Sequence, residues 1–321
     1  MTNRPAVPPP PPRSISEEAR TSLAMHFPPP VYPPLGDTQG WLDHVRDSNG
    51  TLIQAMSAMA LPVHTQHTKI ADVPAYVLRA EGVADDEQTP VYLDIHGGAL
   101  IVGTGEACRL MTTPDAVTTG MITWAVDYRV PPLHPYPAAL DDCLAVYRAL
   151  LEVRAPQDIF VGGGSAGGNL AAALLLRAGD EGLPMPAALA LLTPEADLTE
   201  SGDSFETLKG IDPRLSSLRE VNLLYAGGHD LTHPYLSPLF GDLSGFPPTF
   251  LQTGTRDLFL SNTVRMHRKL RAAGVEAELH VFEAMPHGGF GGAPEDAEIG
   301  RELRRFLDRH RRDRQENGTR P

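Results

Sequence analysis

Ile159-Phe160-Val161-Gly162-Gly163-Gly164-Ser165-Ala166-Gly167-Gly168-Asn169-Leu170-Ala171-Ala172-Ala173-Leu174-Leu175-Leu176 is the stretch whose reading decides the fold. An apolar run leads into glycines and then into a segment rich in alanine and leucine. This predicts a strand, a sharp turn and a helix, with Ser165 at the apex. The flanking glycines allow strained dihedrals and let strand and helix backbones approach closely. The serine then stands at a helix N-terminus, where free N–H groups favour developing negative charge. Gly163-Gly164-Ser165-Ala166-Gly167 has the form of a nucleophile elbow. An ordinary βα turn with a helix-capping serine reads the same way, so the surrounding chain carries the weight.

Outward from this turn, short β-rich runs alternate with helical segments. Strands are predicted at Tyr76–Leu78, Val91–Ile95, Met121–Val126, Ile159–Val161, Ala187–Leu192, Thr249–Gln252 and Ala277–Phe282. Helices are predicted at Ala107–Thr119, Ala138–Leu151, Ser165–Ala178, Asn262–Ala273 and Ala297–Arg311. Such alternation implies a mostly parallel sheet covered on both faces. It breaks between about residues 198 and 246, a segment too long for a simple connection and read as a helical cap insertion. Residues 19–60 are read as N-terminal cap helices, because Trp41, Leu42, Val45, Leu52, Ile53, Met56 and Met59 have helical spacing. The predicted catalytic domain is then 61–197 with 247–312. Residues 1–18, with prolines unbroken from Pro8 to Pro12, are expected to be a disordered tail, and 313–321 to fray.

The chain has 321 residues, long enough for one large α/β domain. Its 27 basic and 40 acidic residues leave a net charge of −13, which argues against nucleic acid or an anionic membrane as partner. The two cysteines, Cys108 and Cys143, do not form a disulfide framework. They are read as packed helix residues in a reducing compartment. No Cys or His spacing typical of metal ligands is present, and neither metal nor cofactor is expected. Without an apolar leader or a run long enough to span a bilayer, the expectation is a soluble cytoplasmic protein.

A serine hydroxyl needs a base. Among 12 histidines, His287 in Met285-Pro286-His287-Gly288-Gly289 follows the last predicted strand, in a loop with small neighbours. The base needs an anion to fix its tautomer. Asp257, in Gly254-Thr255-Arg256-Asp257, follows the penultimate strand; its alternative uses are as a helix cap or a partner for Arg256. Asp197 and Asp230 are the weaker rivals. The order Ser165, Asp257, His287 is that of the α/β-hydrolases. His96-Gly97-Gly98-Ala99 follows the Val91–Ile95 strand. The N–H groups of Gly97, Gly98 and Ala99, with that of Ala166 after the serine, are candidate oxyanion donors.

Taken together, His96-Gly97-Gly98-Ala99, Asp127-Tyr128-Arg129, His134-Pro135-Tyr136-Pro137-Ala138-Ala139, Gly163 to Leu170, Gly254 with Asp257, and Pro286-His287-Gly288 resemble the signature blocks of the hormone-sensitive-lipase-like (bacterial family IV) carboxylesterases. The resemblance covers about residues 60–310. It implies an α/β-hydrolase fold with an eight-stranded sheet and a helical cap. It also implies a triad of Ser165, Asp257 and His287, with oxyanion donors at Gly98, Ala99 and Ala166. The chain departs from the pattern at Ala99, where the third loop glycine stands, and at Leu100, where an aromatic often follows. It departs again at Gly164, usually acidic, and at Val130-Pro131-Pro132-Leu133, which lacks a familiar glutamate. Leu100 and Gly164 are therefore the expected pocket-shaping positions.

The implied reaction is hydrolysis of short- to medium-chain carboxylic esters through an acyl-enzyme, without a cofactor. A lactone would open by the same steps. The rival from another class is a non-catalytic binding protein: plant gibberellin receptors resemble this family and lack the histidine. The implied partner is a small-molecule ester or lactone, and the family also admits a homodimer through the last strand and C-terminal helix.

Overall fold

The computed structural model describes residues 8–25, 27–58 and 61–317 of the chain, with side chains through residue 311. Its centre is an eight-stranded sheet. The strands are β1 (Val63–Ile70), β2 (Val73–Ala80), β3 (Val91–Ile95), β4 (Ile122–Val126), β5 (Ile159–Gly164), β6 (Ala188–Leu192), β7 (Thr249–Gly254) and β8 (Ala277–Phe282), in the order β1-β2-β4-β3-β5-β6-β7-β8. β1, β2 and β4 pair antiparallel, and the remaining pairs are parallel. The register sets Leu93 opposite Val161 and Val161 opposite Leu189. Such apolar central strands belong to a sheet covered on both faces.

The helices are α1 (Glu17–Ala24), α2 (Thr38–Met56), α3 (Glu106–Thr119), α4 (Ala138–Val153), α5 (Ala166–Asp180), α6 (Ser204–Thr207), α7 (Arg219–Ala226), α8 (Leu260–Ala272) and α9 (Pro294–Asn317). α5 is buried along almost its whole length, which explains its alanine and leucine content. α4 packs with it in the main core, where Leu140, Leu144, Leu170 and Leu174 meet Val161 and Leu189. On the other face α9 covers Phe160 and Phe250 through Phe306 and Leu307. Cys108 in α3 and Cys143 in α4 are buried free thiols. No helix of the described residues is long and apolar enough to cross a membrane.

Three differences from the sequence expectations have physical causes. β1 was not foreseen, because Val-His-Thr-Gln-His-Thr-Lys-Ile is largely exposed and carries no buried alternation. Its hairpin to β2 turns on Ala71 (φ 48°) and Asp72 (φ 65°), without the usual glycine. The segment 198–246 holds little helix beyond α6 and α7; Asp197 organises its entry by accepting from the Thr199 N–H, the Ser201 hydroxyl and Arg265.

The third difference concerns the N-terminus. Within residues 8–18, expected to belong to a disordered tail, Ile15 and Ser16 are docked. Ile15, Ala19 and Leu23 are buried against Met285, Phe290 and Ala293. Ser16 caps α1 through a bond from the Ala19 N–H, and Glu295 accepts both its N–H (2.7 Å) and its hydroxyl (2.8 Å). Arg214 ties this corner together, donating to Ser22 Oγ and to the Phe290 carbonyl. Residues 1–7 lie outside the described part, as do 318–321 of the expected frayed tail; helix α9 takes in 313–317.

Candidate active site

The strand–helix turn places Ser165 at φ 56°, ψ −120°, directly before α5. A non-glycine residue in this region is strained, and the surroundings over-determine it. The Ser165 N–H donates to the Leu192 carbonyl at 2.8 Å, and its own carbonyl accepts from Asn169 and Glu195. A Cβ on Gly167 would collide with the Ile95 carbonyl oxygen, and one on Gly163 with the same oxygen. These glycines are what let β3, β5 and α5 converge beneath the serine. The helix begins at Ala166, one residue later than expected.

His287 reaches back from the loop after β8. Its Nε2 lies 2.9 Å from Ser165 Oγ, and its Nδ1 lies 3.0 Å from Asp257 Oδ1. Asp257 is fully buried after β7, and its Oδ2 accepts from the Thr253 hydroxyl at 2.7 Å. The Phe259 N–H donates to its Oδ1 at 2.9 Å. Phe259 also sets its ring edge-on to the imidazole, centroids 4.8 Å apart. Arg256 does not use this carboxylate; it donates to the Pro10 carbonyl at 2.9 Å. The two rivals are occupied elsewhere, Asp197 as above and Asp230 with the Thr232 N–H on the surface.

Burial works against a charged His287. The adjacent Asp257, with Asp212 behind it, outweighs burial and raises the imidazole above its ordinary 6.5. Asp212 lies in the segment 198–246. Its Oδ2 accepts the N–H of Leu258 at 2.9 Å and that of His287 at 3.2 Å, bracing both loops. Glu195, three residues past β6, is fully buried. Its carboxyl oxygens have no well-aligned partner among the described residues. Burial pushes its acid up to about 8, against the opposing pull of the Asn222 amide. Neither Asp212 nor Glu195 was singled out from sequence; an isolated carboxylate closing an apolar strand was the available signal for Glu195.

The loop after β3 faces the serine. Gly98 (φ 114°), Ala99 (φ 51°) and Leu100 (φ 64°) all take positive φ. Ala99 thus takes a left-handed conformation that favours glycine, at a steric cost. The loop's carbonyls are engaged behind it. Gly97 O accepts from His96 Nδ1–H at 2.7 Å, His96 O accepts from the Tyr128 hydroxyl at 2.9 Å, and Gly98 O accepts from the N–H of Ile101 and Val102. Ala166, as the first helical residue, has no intrahelical acceptor for its N–H. Burial drives the His96 imidazole down to about 4, so it is neutral.

Of the two expected pocket positions, Leu100 does not line a pocket: it is fully buried in the main core. Gly164 closes β5, with its carbonyl beside Gly97. A cavity of about 690 Å³ lies nearby, lined by Phe27, Tyr32, Phe205, Asp212 and Leu258, among others. Asp212 and Leu258 connect it to the His287–Asp257 pair. α2 contributes Trp41, which is buried with Phe205, Val221 and Phe259.

A family model described as alpha/beta hydrolase fold matches residues 92–290. An esterase of Acinetobacter venetianus is 36% identical over 231 residues, 70% of this chain and 74% of that one. The carboxylesterase NlhH of Mycobacterium tuberculosis is 35% identical over 233 residues, covering 68% and 72%. Among solved structures, esterase E25 superposes with a TM-score of 0.86 at 36% identity, covering 94% of this chain and 96% of that one. An esterase from the bacterial hormone-sensitive lipase family gives 0.80 at 31% identity, covering 92% and 98%.

Proposed function

The chain belongs to the bacterial hormone-sensitive-lipase family of α/β-hydrolases and is a serine carboxylesterase, and from that premise we propose that Ser165, His287 and Asp257 are its triad. His287 takes the proton of Ser165 Oγ as the oxygen attacks the ester carbonyl. Asp257 holds the Nδ1–H tautomer and stabilises the imidazolium. The N–H groups of Gly97, Gly98, Ala99 and Ala166 surround the oxyanion, with Gly98, Ala99 and Ala166 its closest donors. His287 then protonates the leaving alkoxide. Water, deprotonated by the same imidazole, releases the acid and restores Ser165.

The unbroken line of hydrogen bonds from Ser165 Oγ through both nitrogens of His287 to Asp257 carries this reading. It also weighs against a receptor without turnover, since the histidine is present and within reach. The cavity of about 690 Å³ beside Asp212 and Leu258 is lined by neither Ser165 nor His287, and is offered only to the part of a small ester that extends away from the reacting carbonyl. The segment 198–246 and the two N-terminal helices act as its cap. A cytoplasmic setting is supported by the two buried free thiols. A homodimer through the edge strand β8, where Val281 is exposed, belongs to the same reading.

Initial rates on p-nitrophenyl acetate, butyrate, octanoate and laurate test it. Turnover of the shorter esters by the wild type, falling at laurate and absent in Ser165→Ala, is expected. A folded wild type that hydrolyses none of them would overturn the substrate assignment, and full turnover by Ser165→Ala would overturn the triad.

A further inference from the structure

Beneath the loop after β3, three side chains far apart in sequence point toward one another. They are His96 at the end of β3, Cys108 in the first turn of α3, and Asp127 just after β4. One donor atom from each, imidazole nitrogen, thiol sulfur and carboxylate oxygen, lies within 4.8 Å of the other two. We propose that His96, Cys108 and Asp127 form a Zn²⁺ site that ties the oxyanion loop to α3 and β4.

The first support is the state of His96. It is 3% exposed, and its ring is stacked on Tyr128 with centroids 4.1 Å apart. Its Nδ1–H is committed to the Gly97 carbonyl at 2.7 Å. That bond leaves the lone pair on Nε2, and Nε2 is buried without a partner among the described residues. Buried polar atoms are ordinarily satisfied, so this one calls for an occupant. A metal-bound histidine has this very arrangement, with one nitrogen donating to a backbone carbonyl and the other free for the ion.

The second support comes from the other two donors. Cys108 is fully buried, and its thiol makes no contact stronger than a long 3.7 Å approach to the Val126 carbonyl. Asp127 is partly exposed, and the Gly105 N–H donates to its Oδ1 at 2.9 Å, orienting the carboxylate. Tetrahedral zinc holds its donors about 3.5 Å apart, so the set must contract; Asp127, the most exposed of the three, is the side chain with room to move.

Charge and donor type select the ion. A neutral imidazole, a thiolate and a carboxylate carry two negative charges together and neutralise Zn²⁺ without leaving net charge in the interior. The Cys108 thiol loses its proton to solvent on binding; no electron is transferred. Sulfur and nitrogen donors favour zinc over magnesium or calcium, which take oxygen. Three protein ligands leave a fourth position for water.

The test uses the full chain, stripped with a chelator, kept reduced and titrated with Co²⁺ as a spectroscopic stand-in. One equivalent is expected to give a thiolate-to-cobalt charge-transfer band with intense tetrahedral ligand-field bands, both displaced by Zn²⁺. Cys108→Ala should lose the charge-transfer band, and Cys143→Ala should keep it, each while retaining its circular dichroism. A folded wild type without the band, or a band that survives Cys108→Ala, overturns the proposal. Should Cys108→Ala fail to fold, zinc X-ray absorption on the wild type decides: one sulfur neighbour at about 2.3 Å supports the site, and an all-nitrogen-and-oxygen shell overturns it.

Discussion

His287 Nε2 stands 2.9 Å from Ser165 Oγ although the two residues come from loops after different strands, β8 and β5. Each is fixed independently, Ser165 by its bond to the Leu192 carbonyl and His287 by the bond from its backbone N–H to Asp212. The contact is therefore preorganised. Replacing Ser165 by alanine should lower kcat by roughly 10⁴-fold or more, with an unchanged melting temperature and loss of fluorophosphonate labelling. Activity within tenfold of wild type would contradict the role given to the serine.

In the proposed mechanism His287 must be neutral to accept the proton. Because Asp257 and Asp212 hold the imidazole above 6.5, the acid limb of kcat/KM should have its midpoint above pH 6.5, with activity lost as pH falls through it. Asp257→Asn removes the charge and misdirects the tautomer. A loss of about 10⁴-fold near neutrality, with the limb displaced to lower pH, is expected from pH–rate profiles of the two proteins.

Ala99 adopts φ 51°, which costs an L-residue roughly 1–2 kcal/mol. Ala99→Gly relieves this, against roughly 0.4–1 kcal/mol of added freedom in the unfolded chain. A rise in melting temperature of about 1–2 °C should follow. A fall would show that the Ala99 methyl group packs more favourably than its dihedral costs.

Glu195 keeps its proton in the folded chain up to about pH 8, whereas an unfolded glutamate loses it near its ordinary value. Folding therefore takes up a proton between these limits, and the stability present below pH ~4.5 is progressively lost as pH rises toward 8, at ~1.4 kcal/mol per unit. Glu195→Gln cannot ionise and should flatten that decline. Urea unfolding of both proteins at pH 5 and pH 8 measures the difference; equal slopes would place the ionisation elsewhere.

What the sequence made legible follows from which physical signal each element carries. β5 and α5 were readable because the apolar run, the glycine turn and the alanine-rich helix all demand the same local path. Ser165, Asp257 and His287 were readable by their positions after particular strands. β1 was not, since an exposed edge strand needs no apolar alternation, and the Ala71-Asp72 turn lacks glycine. Leu100 was not readable as a core residue, because a leucine after a glycine loop fits a pocket wall and a core equally well. The prolines from Pro8 to Pro12 exclude helix there, but they say nothing about Ile15 and Ser16 beyond them.

Docking of α1 joins residues 15–23 to the Met285–Glu295 segment. Residues 15–23 shield the Met285–Ala293 segment that carries His287, and removing residues 1–24 should lower both the melting temperature and kcat while leaving Ser165 labelling slow but present. A truncated protein as stable and as active as the full chain would deny the N-terminal helix this part.

The pairing of Ser16 with Glu295 also gives folding a direction in time. During synthesis the segment from Ile15 to Leu23 emerges well before the surface it covers, from Met285 to Glu295. Helix α1 has no surface to close on until that segment has been made. Its closure needs the same segment that carries His287, so a nascent chain that stops short of residue 287 has no base for Ser165.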